Sequence, residues 1–128
     1  MELKLVDEGG VKVVEGVPRE QWLTSAEEVG RVLEACFSTG ASGALLYAEN
    51  LSPAFFDLSS GEAGAVLQKL RNYRVRLAVV CSPGSVAFSS RFGEMVAEER
   101  RGDDFGLFDT RDAGRAWLAN ARSDRSPD

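Results

Sequence analysis

Two short apolar runs constrain this chain more than any other feature: GALLYA at residues 43–48 and VRLAVV at residues 75–80. Neither alternates apolar with polar, so neither suits a strand with one face in water. Runs of this length suit parallel strands covered on both faces. Covering both faces takes helices, and the segment between the runs supplies one, with Ala63, Val66, Leu67 and Leu70 at helical spacing. Comparable stripes are Val29, Val32, Leu33, Cys36 and Phe37 before the first run, and Phe88, Phe92, Met95 and Val96 after the second. A last stripe is predicted from Ala113, Ala116, Trp117 and Ala121, all inward. DFGLF at 104–108 is a further strand, and LKLV (3–6) and VKVV (11–14) flank a Gly-containing turn and predict a β-hairpin. Thr24, three residues before Glu27, has capping-box spacing, and Thr110 is placed to cap the last helix.

The predicted order is β-β-α-β-α-β-α-β-α. It describes an α/β domain with a mixed sheet, its N-terminal antiparallel hairpin beside parallel central strands. The chain has 128 residues, which suits one domain of about 100–150 residues. That domain is assigned to residues 1–121, and RSDRSPD at 122–128 reads as a flexible polar tail with nothing to bury.

Composition narrows the chemistry. Fifteen basic against 20 acidic side chains give a net charge of -5, so no general affinity for nucleic acid is expected. The basic residues Arg71, Arg74 and Arg76 are interleaved with Tyr73 and Val75 and read as a solvated helix end. The chain has no histidine, which excludes His-dependent triads and His-containing metal sites. Its two cysteines, Cys36 and Cys81, cannot alone make a structural zinc site. Cys36 lies on an apolar helix face and reads as core. No metal and no cofactor is expected. No P-loop or dinucleotide fingerprint is present. The N-terminus lacks a signal-peptide pattern and no apolar run approaches a membrane span, so a cytoplasmic location without membrane partners is expected.

The densest chemistry is ENLSPAFFDLSSGEAG at 49–64, between the first apolar run and the second helix. Ser59 stands three residues before Glu62, again a capping box. Phe55 and Phe56 are adjacent and cannot point the same way on regular structure. Either both fill the core, or one does and the other serves a partner or a dimer mate. The block from 72 to 74, Asn-Tyr-Arg, reads as structural, with Asn72 ending the helix and the Tyr73 hydroxyl reaching water.

In this stretch the chain resembles a bacterial family, domain-of-unknown-function family 4180. The likeness rests on Phe-Phe-Asp-Leu (55–58), Gly-x-Ala-Gly (61–64), Leu-Gln-Lys (67–69) and Asn-Tyr-Arg (72–74), and extends from Met1 to about Ala119. The resemblance implies no activity. The element order, and a strand leading to Asp-x-Ser-Ser-Gly and an amphipathic helix, also look like the STAS domains of anti-sigma-factor antagonists. In those domains the Ser or Thr before the glycine is phosphorylated. Carried over by position, that residue is Ser60, with Leu58 inserted after Asp57.

Three readings of the junction stand side by side. It is a helix cap over a core, a phosphorylation switch at Ser60, or a site where an anion binds the helix start without covalent chemistry. The resemblance favours a non-enzymatic regulatory or protein-binding module using Asn50, Phe55, Phe56, Asp57, Ser59, Ser60 and Gly61. The alternative is a small-molecule or anion-binding protein, or an enzyme, using the rim at the carboxyl ends of the strands. That rim would collect Glu49, Asn50, Asp57, Ser60, Cys81, Ser82 and Asp109. The chain is expected to be a monomer or a weak homodimer, with room for a protein partner.

Overall fold

Both apolar runs are strands, and both are buried on two sides. The computed structural model describes residues 3–8, 11–16, 29–51, 53–57, 61–81, 90–101 and 104–119. The strands are β1 (Lys4–Glu8), β2 (Val11–Glu15), β3 (Gly43–Tyr47), β4 (Arg76–Val80) and β5 (Phe105–Phe108). The helices are α1 (Val29–Thr39), α2 (Glu62–Asn72), α3 (Ser90–Arg101) and α4 (Arg111–Ala119), with 3₁₀ turns at Ala48–Asn50 and Pro53–Phe56. The predicted tail, the Thr24 cap and Phe88 lie outside the described residues. No helix among the described residues is long and apolar enough to cross a membrane.

The five strands lie in sequence order, β1-β2-β3-β4-β5. β1 runs antiparallel to β2, and β2 to β5 are mutually parallel. This is the predicted mixed α/β sheet. Parallel crossovers of one hand that always step the same way place their helices on one face, and strand parity agrees. Val14, Ala44, Leu46, Leu77, Val79 and Phe105 point into one core with the apolar stripes of α1 and α2 and with Phe92 of α3. Val13, Leu45, Ala78, Val80 and Phe108 point to the opposite face, where Leu118 and Trp117 of α4 meet them.

Three details differ from the sequence reading. Phe37 is 62% exposed, although it follows the buried Cys36. The α1 stripe runs through Val29, Val32, Leu33 and Cys36, and Phe37 is rotated past its edge. On α4, Ala113 and Ala116 are exposed while Gly114 and Leu118 are buried and Trp117 is half-buried. Gly114 decides this rotation. A Cβ there would stand 3.1 Å from Leu45 Cδ1, tighter than ordinary contact, so glycine suits the close approach of the helix backbone to the sheet. Ala121 lies outside the described residues. Finally, Arg76 is buried, with its guanidinium 4.2 Å from the centre of the Trp117 ring. It stands inside the sheet edge and not at a solvated helix end. Cys36 is core, as expected, and burial pushes its thiol up to about 11.

Candidate functional site

The parallel strands end together. Glu15 pairs with Leu45, two rows from the end of β3, whose last residue Tyr47 pairs with Val80, which pairs with Phe108. The rim is therefore built from Glu15 and Gly16, from 47–50, from Cys81, and from 109–111. Strand order never reverses across β2 to β5, so the sheet has no switch point of the kind that opens a crevice in doubly wound folds. Of the expected rim residues, Glu49, Asp57 and Asp109 are exposed, Cys81 is half-buried and Asn50 is buried. Ser60 and Ser82 lie outside the described residues.

Asn50 closes the end of β3 against the end of β2. Its Oδ1 accepts a hydrogen bond from the Tyr47 N–H at 2.7 Å, which holds the Ala48–Asn50 turn closed. On its other side Gly16 presses close, its N–H donating to the Leu45 carbonyl at 2.9 Å. A Cβ on Gly16 would lie 2.5 Å from Asn50 Oδ1, so glycine is required at this approach. Asn50 is fully buried and holds the base of the junction, presenting nothing to solvent.

Phe55 and Phe56 are both core, at 2% and 4% exposure. The 3₁₀ turn sets their rings nearly perpendicular, 5.3 Å apart. Phe55 then meets Phe92 and Phe105, and Phe56 meets Phe92. Neither ring is available to a partner. Asp57 follows at once and is exposed. Residues 58–60, including Ser59 and Ser60, lie outside the described residues. Gly61 is exposed and is the N-cap of α2, at φ 80°. This left-handed backbone cannot belong to a helical turn, so α2 begins at Glu62 and the predicted capping box on Ser59 does not start it. Gly61 brings no side chain to the first-turn N–H groups; its carbonyl accepts from the Ala65 N–H at 3.0 Å.

The rim also holds a charge cluster that sequence reasoning missed. Glu15 is 4% exposed. Its Oε1 accepts from Arg111 Nε at 3.1 Å and from Arg111 Nη2 at 3.0 Å. Its Oε2 lies 3.1 Å from Arg115 Nε, in ionic contact without hydrogen-bond alignment. Arg111 and Arg115 are one turn apart on α4, which starts where predicted: Thr110 Oγ1 accepts from the Ala113 N–H at 3.2 Å. Tyr47 stands nearby. Desolvation pushes its phenol up, and Arg111 opposes this by favouring the phenolate. The hydrogen bonds that Arg111 donates to Glu15 push the Arg111 guanidinium up as well. Neither group is brought toward neutral pH, so both keep fixed charge states there. A charge directly after the Val13-Val14 pair of β2, and arginines four residues apart at a helix start, were the available signals.

Among the described residues no group of three or more Cys, Asp or Glu side chains is gathered as a metal site would need. No curated protein and no solved structure matches the chain significantly. One family model does, described as Domain of unknown function (DUF4180), over residues 8–118. That span runs from the last residue of β1 to Leu118, the last buried residue of α4, and so takes in both cores. The chain belongs to the DUF4180 family.

Proposed function

We propose that the chain is a non-enzymatic regulatory module of STAS-like build. It binds a protein partner through residues 57–61 and the first turn of α2, with Ser60 as the switch. The observation that carries this is the abrupt change from anchor to surface. Asn50, Phe55 and Phe56 are buried, and Asp57 and Gly61 on either side of the serines are exposed. Recognition residues belong on loops held by a rigid base, and here the base is an aromatic cluster. A phosphate at Ser60 would lie just ahead of a helix start, whose partial positive charge and unpaired N–H donors favour an anion. The fixed charge states of Tyr47 and Arg111 suit a structural rim better than proton transfer. The module would act in the cytoplasm with both thiols reduced, as a monomer or a weak homodimer.

Ser60→Asp and Ser60→Ala test the switch. Both variants should melt within a few degrees of the parent, because an anion near a helix start contributes only about 0.3–1 kcal/mol. Recovery of the partner on immobilised protein should fall for the Asp form and persist for the Ala form. Equal recovery by all three would remove the switch. A collapse of stability in the Asp form would mean that Ser60 is needed inside the fold.

A further inference from the structure

The far end of α2 carries a surface unrelated to the rim. Phe37 is 62% exposed and Tyr73 is 55% exposed, and their rings meet edge-on at 5.4 Å. Singly exposed apolar side chains need no explanation, but a pair in contact forms a patch. The pair joins the last turn of α1 to the residue that closes α2.

Its α2 side is basic. Of the three arginines at this helix end, Arg71 is paired with Glu99 at 2.6 Å and Arg76 is buried with its guanidinium over the Trp117 ring. Arg74 remains exposed, as does Lys69, one turn before Tyr73 on the same side of α2. No ion pair engages Lys69 or Arg74 among the described residues. Arg74 also holds an uncommon backbone. It is the one non-glycine with positive φ among the described residues, at 60°. The Arg74 N–H donates to the Arg71 carbonyl at 3.0 Å, and the Val75 N–H donates to the Leu70 carbonyl at 2.9 Å. This is the helix-closing geometry in which glycine is the ordinary occupant, because an L side chain is strained there. An arginine kept at a glycine position, beside an exposed aromatic pair, points to a use for its side chain.

We propose that Phe37, Tyr73, Lys69 and Arg74 form a docking surface for an acidic peptide segment of a partner protein that carries an aromatic or aliphatic anchor. The anchor would lie on the ring pair, and its acidic neighbours would meet Lys69 and Arg74. Charge decides among occupants. Two exposed cations beside the rings suit a short acidic segment held within screening distance, whereas an extended polyanion such as nucleic acid or an anionic bilayer would also meet the rest of a surface whose net charge is -5. A second copy related by a twofold axis would set this basic patch against itself. The surface is independent of residues 57–61.

A random dodecapeptide display library selected on the purified full chain, with recovered peptides measured by fluorescence polarisation, tests the proposal. Recovered sequences should place Asp or Glu around Trp, Phe or Leu, and their binding should weaken as salt rises. Phe37→Ala with Tyr73→Ala should weaken binding about tenfold or more. Arg74→Gly should weaken it severalfold while raising the melting temperature, which separates lost contact from lost fold. Ser60→Asp should leave these peptides bound as in the parent, so failure of the rim switch is read separately. The proposal falls if no peptide is recovered, if the recovered peptides lack acidic residues, or if the double variant or Arg74→Gly binds like the parent. It also falls if sedimentation shows a concentration-dependent dimer that Phe37→Ala abolishes, since the occupant would then be a second copy.

Discussion

The two faces of the sheet are held by different means. On one, α1, α2 and α3 bury a broad core in which Phe55, Phe56, Phe92 and Phe105 interlock with ring centroids 5.3–6.2 Å apart. On the other, among the described residues, the nine-residue α4 lies across parallel strands. It cannot cover them with apolar side chains alone, so each of its ends carries a polar tie. At its start, Arg111 and Arg115 hold Glu15 at the carboxyl end of β2. At its finish, the Leu118 carbonyl accepts from Arg76 Nη1 at 3.5 Å, and Trp117 lies under the same guanidinium. Apolar volume tolerates local change because many neighbours share it. A helix tied at two points depends on a few named side chains.

The largest expected effect lies on the thick face. Phe92 is fully buried and touches both Phe55 and Phe56. Phe92→Ala should cost about 3–5 kcal/mol by urea denaturation, from lost transfer energy and the cavity left behind. Trp117→Ala should cost clearly less, because the half-buried ring already meets water. Equal losses would mean that the thin face contributes as much apolar stabilisation as the thick one, and the contrast would fail.

Glu15→Ala attacks the tie instead. It would remove the carboxylate shared by two guanidinium groups, but their side chains are 46% and 22% exposed and can turn toward water. The cost should therefore be about 1–3 kcal/mol, below that of breaking a wholly buried pair. The loss should be local. Amide exchange in α4 should quicken while α1 and α2 keep their protection, and Glu15→Gln should recover part of it. A uniform rise in exchange would show that the two faces unfold as one unit.

The strands and most helix faces were legible because burial on two sides leaves a continuous apolar run and burial on one side leaves a stripe. The Thr110 cap was legible for the same local reason. The ties were not. Glu15 and Arg111 are 96 residues apart, and Arg76 and Leu118 are 42 apart. A pair so distant leaves no period in the sequence, and each charge reads alone as a strand or helix end meeting solvent. The α4 face was misjudged by one position because alanines were counted as the apolar side, whereas closest approach belongs to the residue with no side chain. Phe55 and Phe56 were left open because adjacent residues diverge on helix or strand; a 3₁₀ turn capped by rings from α3 and β5 buries both. At the junction the spacing of Ser59 and Glu62 suggested a cap, whereas the N-cap of α2 is the left-handed Gly61.

The smallest effect sharpens the contrast most, because it asks how tightly each face is packed. Gly30 of α1 and Gly64 of α2 are exposed, and a Cβ on either would meet nothing within 4 Å. Replacing them with alanine should stabilise the fold by about 0.5–1 kcal/mol each, by removing backbone freedom from the unfolded chain. Gly64, the third residue of α2, should give the lower figure. Gly114→Ala offers the same helical gain on the thin face, but its Cβ would stand 3.1 Å from Leu45 Cδ1. Leu45 is fully buried, and Ala78 and Phe108 already lie at ordinary contact distance from the new atom, at 3.5 and 3.6 Å. Overpacking costs about 1–3 kcal/mol, and with one contact in the tight range the low end applies, so the gain is offset and the net change should be a loss of about 1 kcal/mol or less. Urea midpoints of the three variants measure this directly. A Gly114→Ala midpoint raised as far as the other two would show that Leu45 yields freely and that α4 rests loosely on the sheet, leaving the two polar ties to hold it there.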